Sequence, residues 1–150
     1  MNVAAIFLVR YLLVMLFLPF SALDKILNFR GAVAQAREIA PGPLAIPLIL
    51  GGIFVELVVT TCILAGIADR LAGIIMALYC MATAVLWKQF WRPGDFWRAG
   101  DSKARSLFWD FLKNFSLAGG FLLLVVGAHG TLRSFIANPL QSSYPYQVSK

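Results

Sequence analysis

Arg10 and Glu56 are the residues most able to do chemistry in this chain, because each interrupts a long apolar run. An ionisable side chain in hydrocarbon is costly, so it ordinarily pairs with another or lines a functional cavity. Counting helical rise, Arg10 lies about 10 Å inside the first apolar run, and Glu56 about 13 Å from the matching end of the second. Opposite charges at similar depth on adjacent helices can meet, so the sequence predicts an Arg10–Glu56 pair. Either charge buried alone would cost several kcal/mol. Two roles fit such a pair. It could be a structural device that fixes helix register. It could also floor an outward-facing cavity, where Glu56 exchanges a proton and Arg10 holds an oxygen of a ligand.

Asp69 and Arg70 fall in the turn after the second run and face either the mouth of that cavity or water. His129, the only histidine, lies at the end of the fourth run and is expected to cap or sit at the interface. No Cys/His/Asp spacing completes a metal site around it. Cys62 and Cys80 sit at depths about 8 Å apart, which argues against a disulfide and for packing roles. Paired haem ligands, a CxxC motif and a glycine-rich nucleotide loop are all missing, so no cofactor is readable in the sequence. The chain is expected not to catalyse a reaction on its own.

The elements that must position these residues are four apolar stretches, at about 3–23, 44–65, 71–90 and 108–127. Each approaches the roughly 20 residues that cross a bilayer core as a helix. Of 150 residues, 60% are hydrophobic and 13% charged, against about 25% charged in a soluble domain. The expected fold is an all-α, integral-membrane four-helix bundle forming a single domain over 1–150. A cleaved signal peptide is the competing reading of the first stretch. Its length and the internal Arg10 favour a retained span.

The net charge of +6 would suggest nucleic acid on a soluble surface. Here the basic residues lie between spans, where they set topology and meet anionic lipid. Lys25, Arg30, Arg37, Lys88, Arg92, Arg98, Lys103, Arg105 and Lys113 fall in or beside the first and third loops; Arg70, Arg133 and Lys150 fall on the other side. The positive-inside rule then puts the two basic loops in the cytoplasm and both termini in the periplasm. Lys25, Lys88 and Lys113 are expected to snorkel to the headgroups.

Pro19 predicts a kink in span one. Residues 28–40 read as a short amphipathic helix at the surface, stopped by Pro41-Gly42-Pro43. Loop three mixes Phe96 and Trp97 with basic residues, an interfacial composition. The tail, 131–150, reads as irregular. Gly51, Gly52, Gly73, Ala118, Gly119 and Gly120 mark places for close helix approach, the packing device available where lipid removes lateral hydrophobic drive.

Taken in order, these residues resemble the DoxX family of small four-span bacterial membrane proteins. The run Phe111-Leu112-Lys113-Asn114-Phe115-Ser116-Leu117-Ala118-Gly119-Gly120-Phe121-Leu122-Leu123-Leu124 is similar to its fourth span. Thr83-Ala84-Val85-Leu86-Trp87-Lys88-Gln89-Phe90-Trp91 is similar to the end of its third. Arg10, Lys25, Glu56 and Arg70 also fall where the family places such residues. The resemblance covers roughly 4–128. Lys88 departs from it, since many members have a histidine there, and loop three is longer than the family pattern.

The resemblance implies a bacterial inner (plasma) membrane location and an association with redox metabolism. The family's namesake is linked to a membrane thiosulfate:quinone oxidoreductase. The leading expectation is an accessory or anchor subunit of a membrane redox system that contacts quinone near Arg10 and Glu56. Its expected partners are membrane lipid, an oxidoreductase and further copies of itself, with no nucleic acid. A chaperone-like or structural subunit without ligand is the second reading. A small-solute transporter is a weaker third, because paired broken helices are not evident.

Overall fold

A computed structural model describes residues 3–127 and 132–143. Among these the chain is helical with no strand. Four helices are long and apolar enough to cross a membrane: Val3–Leu27, Gly42–Ala65, Asp69–Trp87 and Lys103–Val126. The all-α four-helix bundle expected from hydropathy is the fold found.

Two spans are interrupted, the second at Glu56 itself. The first comprises α1 (Val3–Val14), a wide π-helical turn (Leu16–Ser21) and α2 (Ala22–Leu27). Leu18 leaves helical geometry at φ −120° and ψ 111°, as expected of a residue that Pro19 sterically excludes from the α region. The Leu18–Pro19 peptide is cis. The second span comprises α4 (Ala45–Phe54), a π-helical turn (Val55–Val59) and α5 (Thr60–Ala65). No proline or glycine lies within that second widening. Thr60 and Thr61 instead turn their hydroxyls back onto the carbonyls of Glu56 and Leu57, a bond that competes with the regular ladder. π-turns of this kind recur at functional sites.

The short helix expected over 28–40 is present as α3 (Phe29–Arg37). It does not only float at the interface. Val33 and Ala36 pack against Ala45 and Ile49 at the start of span two, making a second small core.

The third span is α6 (Asp69–Trp87) and the fourth α7 (Lys103–Val126). The fourth span begins earlier than hydropathy suggests, because Ser102 caps it by accepting the Arg105 N–H at 3.1 Å. Close contact between α6 and α7 is set by Gly73. A Cβ there would lie 2.9 Å from the Phe121 carbonyl oxygen. The main core joins all four spans through Val14, Phe17, Val59, Ile63, Met76 and Phe121. Outside it, large apolar side chains such as Leu8, Val9, Leu12, Phe54, Leu78 and Leu123 stand exposed, as lipid-facing residues do.

Part of the expected irregular tail is ordered. It contains α8 (Leu132–Ala137), a turn at Pro139–Leu140 and a short irregular stretch to Ser143. His129 lies outside the described residues.

Candidate functional site

Arg10 and Glu56 are both buried, 3% and 1% exposed, but they do not pair with each other. Arg10 pairs with Asp69 at 2.5 Å, and Glu56 with Lys25 at 2.7 Å. The two side chains do not share a depth. Arg10 donates to the carbonyl of Ile63 at 2.6 Å, so it lies level with the end of span two rather than with its middle. Span one protrudes beyond span two there, and Glu56 lies seven residues, about 10 Å, farther down.

The first polar cluster occupies the protruding end. One Arg10 nitrogen reaches Ile63, and the other reaches both Asp69 and the Ser143 hydroxyl at 2.7 Å. Asp69 also accepts the Ser143 N–H at 2.7 Å and its hydroxyl at 2.6 Å. It opens α6, where the helix dipole favours a carboxylate. Gly66 takes the left-handed conformation that closes span two (φ 69°), so the turn to Asp69 is tight. Neither Asp69 nor Arg70 faces water or an open mouth. Both are buried, because the tail lies over them. Arg70 donates to the Val125 carbonyl at 2.9 Å and to the Ser134 hydroxyl at 3.1 Å, with its guanidinium over the Phe135 ring.

The second cluster surrounds Glu56. Its Oε1 accepts hydrogen bonds from Ser21 Oγ at 2.9 Å, Lys25 Nζ at 2.7 Å and Tyr79 Oη at 2.9 Å. Lys25 also donates to Ser21 at 2.6 Å. Ser21 and Lys25 are four residues apart and share a helix face. Three spans therefore converge on one carboxylate oxygen. The other oxygen, Oε2, is buried and has no hydrogen-bond partner among the described residues. Such an orphan costs the desolvation of the group unless something supplies a donor. Gly52, one turn before Glu56, makes room for the phenol. A Cβ there would lie 3.2 Å from Tyr79 Oη.

Lys25 is thus a member of the buried cluster rather than a snorkelling side chain. Tyr79 was not singled out from the sequence, since a tyrosine in an apolar run looks like packing. Lys88 and Lys113 both pair with Asp110, at 3.1 and 3.3 Å. Of the glycines expected to admit a neighbouring helix, Gly51 and Gly119 have open space beside them. Gly120 abuts the Leu13 side chain at 3.0 Å, and Gly73 makes the tightest approach. Cys62 and Cys80 are free thiols. Among the described residues no group of histidine, cysteine or carboxylate side chains could hold a metal.

The chain is similar to inner membrane protein YphA of Escherichia coli (strain K12). The two are 27% identical over 124 residues, which is 82% of each chain. No family model and no solved structure matches the chain. Four apolar helices, a lipid-type exterior and this likeness together describe a small multi-span membrane protein.

Proposed function

We propose that this chain is a DoxX-type protein of the bacterial inner membrane that serves as an accessory or anchor subunit of a membrane redox system, contacting quinone at Glu56 rather than at Arg10. The observation that carries this reading is the buried, unpartnered Oε2 of Glu56 beside an oxygen held by three donors. A quinol hydroxyl is a donor of the kind Oε2 lacks. The Lys25 ammonium has three N–H donors, two of which engage Ser21 and Glu56. A third can meet a quinone oxygen. The redox centre itself would belong to a partner, and bound quinone would supply the electron chemistry. The residues of this chain would orient the headgroup and hold a proton at Glu56. The inner-membrane location follows the relative's name, and the distribution of basic residues favours periplasmic termini.

A specific observation favours the structural alternative at the other cluster. Arg10 and Asp69 saturate each other with Ile63 and Ser143, as a register-fixing pair would.

The test is purification from inner membranes in mild detergent, with extraction and quantification of quinone and identification of co-purifying proteins. The wild-type chain is expected to retain quinone in stoichiometric amount, and Glu56→Gln to lose it at least about tenfold, the loss of one charge-assisted hydrogen bond. Equal quinone in both, or no enrichment over an unrelated membrane protein, overturns the reading.

A further inference from the structure

We propose that loop three, residues 88–102 with the first turn of α7, is a built binding site for the headgroups of anionic phospholipids. The loop is held shut by its own polar groups. The Asp95 carboxylate accepts the backbone N–H groups of Lys103 at 2.8 Å and Ala104 at 3.0 Å. Arg105 donates to the carbonyls of Phe96 at 2.8 Å, Arg98 at 2.5 Å and Gly100. The loop is therefore a closed ring seated on the end of span four.

Its inner wall is aromatic. Phe90 meets Trp91, Phe96, Phe108 and Phe111 with centroids 5.0–6.3 Å apart. This wall continues down span four through the stacked Phe111–Phe115 pair at 4.7 Å, which ties the loop to the end of that span, where hydrocarbon would give way to headgroups. Trp97 packs its edge on Phe96 at 4.9 Å yet is 92% exposed, and Trp91 is 53% exposed. An indole with an apolar body and one N–H donor suits the headgroup level.

The remaining charge decides the lipid. Asp95 is engaged by the first backbone N–H groups of α7, Arg105 on carbonyls, and Lys88 and Lys113 on Asp110. Arg92 and Arg98 are exposed, and each directly follows an exposed tryptophan, Trp91 and Trp97. Exposed Lys103 adds a third cation, against one exposed carboxylate, Asp101, so the rim keeps a net positive charge. A guanidinium binds a phosphate through paired N–H groups. Two indole–guanidinium steps on a rigid rim thus match a lipid phosphate with its glycerol and upper chains. The N–H groups of Lys103, Ala104 and Arg105 are already taken, so the arginines rather than the helix end would hold the phosphate.

The test uses the full chain with Trp97 as its sole tryptophan, Trp87, Trp91 and Trp109 being changed to Phe. It is placed in nanodiscs of phosphatidylcholine with or without phosphatidylglycerol. Trp97 fluorescence is expected to be quenched by lipids brominated near the headgroup, and more strongly with phosphatidylglycerol. In the chain with its native tryptophans, native mass spectrometry should find phosphatidylglycerol preferred over phosphatidylcholine. Arg92→Gln and Arg98→Gln should each lower that preference by about fivefold, the worth of one basic residue at an anionic leaflet. Quenching by aqueous iodide without quenching by bromolipid overturns the proposal. So does equal binding of the two lipids, or reproduction of the effect by inorganic phosphate.

Discussion

Replacing Asp69 by Asn removes one charge from the Arg10 cluster and leaves its shape nearly intact. Asp69 is buried and holds three hydrogen bonds, one from Arg10 and two from Ser143. Breaking a buried pair by removing one partner costs about 3–5 kcal/mol. An arginine placed unpaired in a transmembrane helix costs about 2.5–3.5 kcal/mol on insertion scales. The Asn carbonyl still accepts one bond, and Arg10 keeps Ile63 and the Ser143 hydroxyl, so the loss should fall near about 3 kcal/mol. That is about a hundredfold in the folding equilibrium. The assay is reversible unfolding in mixed micelles by increasing dodecyl sulfate, followed by circular dichroism. Arg10→Met and the Arg10→Met/Asp69→Asn double variant complete a cycle. The double variant should be more stable than the summed singles imply, by about 2 kcal/mol. A single-variant loss under about 1 kcal/mol, typical of exposed pairs, or strict additivity would refute the reasoning. A parallel cycle of Arg10 with Glu56 should be additive, since the two do not touch.

The glycines give a second contrast. Gly73→Ala puts a Cβ 2.9 Å from the Phe121 carbonyl and should cost about 1–3 kcal/mol in the same assay. Gly119→Ala meets nothing within 4 Å and should be neutral or stabilising by up to about 1 kcal/mol. The loop cap predicts a pH dependence. The Ala104 N–H first, and the Lys103 N–H with it, hold the Asp95 carboxyl below the usual carboxylate range. The unfolded loop therefore binds the proton more tightly. Loop stability from this source is complete above about pH 4 and is lost as pH falls through the lowered value. Limited proteolysis within 92–103 should rise on acidification in the wild type. Asp95→Asn should be susceptible at all pH values.

The spans were legible because hydropathy over about 20 residues depends on composition alone. The charged residues worth attention were also legible. Arg10, Glu56, Asp69 and Arg70 are all buried. Which of them meet was not legible, because pairing depends on vertical register between spans. The break at Leu18 and the wide turn at Val55–Val59 each shift that register. Counting from span ends also fails where one span overhangs its neighbour, as span one does beyond Ile63. Burial of Asp69 was hidden for a different reason. Its cover comes from Ser143 in a polar tail, where no periodicity marks a contact 74 residues away. Tyr79 was hidden because its partner is a glycine-made space beside Glu56, and Gly52 reads locally as a packing residue.

The two ion pairs differ in when they can form during synthesis. Lys25 and Glu56 are 31 residues apart and lie on consecutive spans. They can neutralise each other as soon as the first helical hairpin has entered the bilayer. Arg10 must wait for Asp69, 59 residues later at the head of the third span, and for Ser143, 133 residues later. Until then the Ile63 carbonyl of span two offers it a bond but no countercharge, which favours a place in the insertion machinery or at the headgroup boundary. The first span is therefore provisional in the membrane until the third arrives, and a ribosome-stalled chain ending before Asp69 should be the form most readily extracted from it.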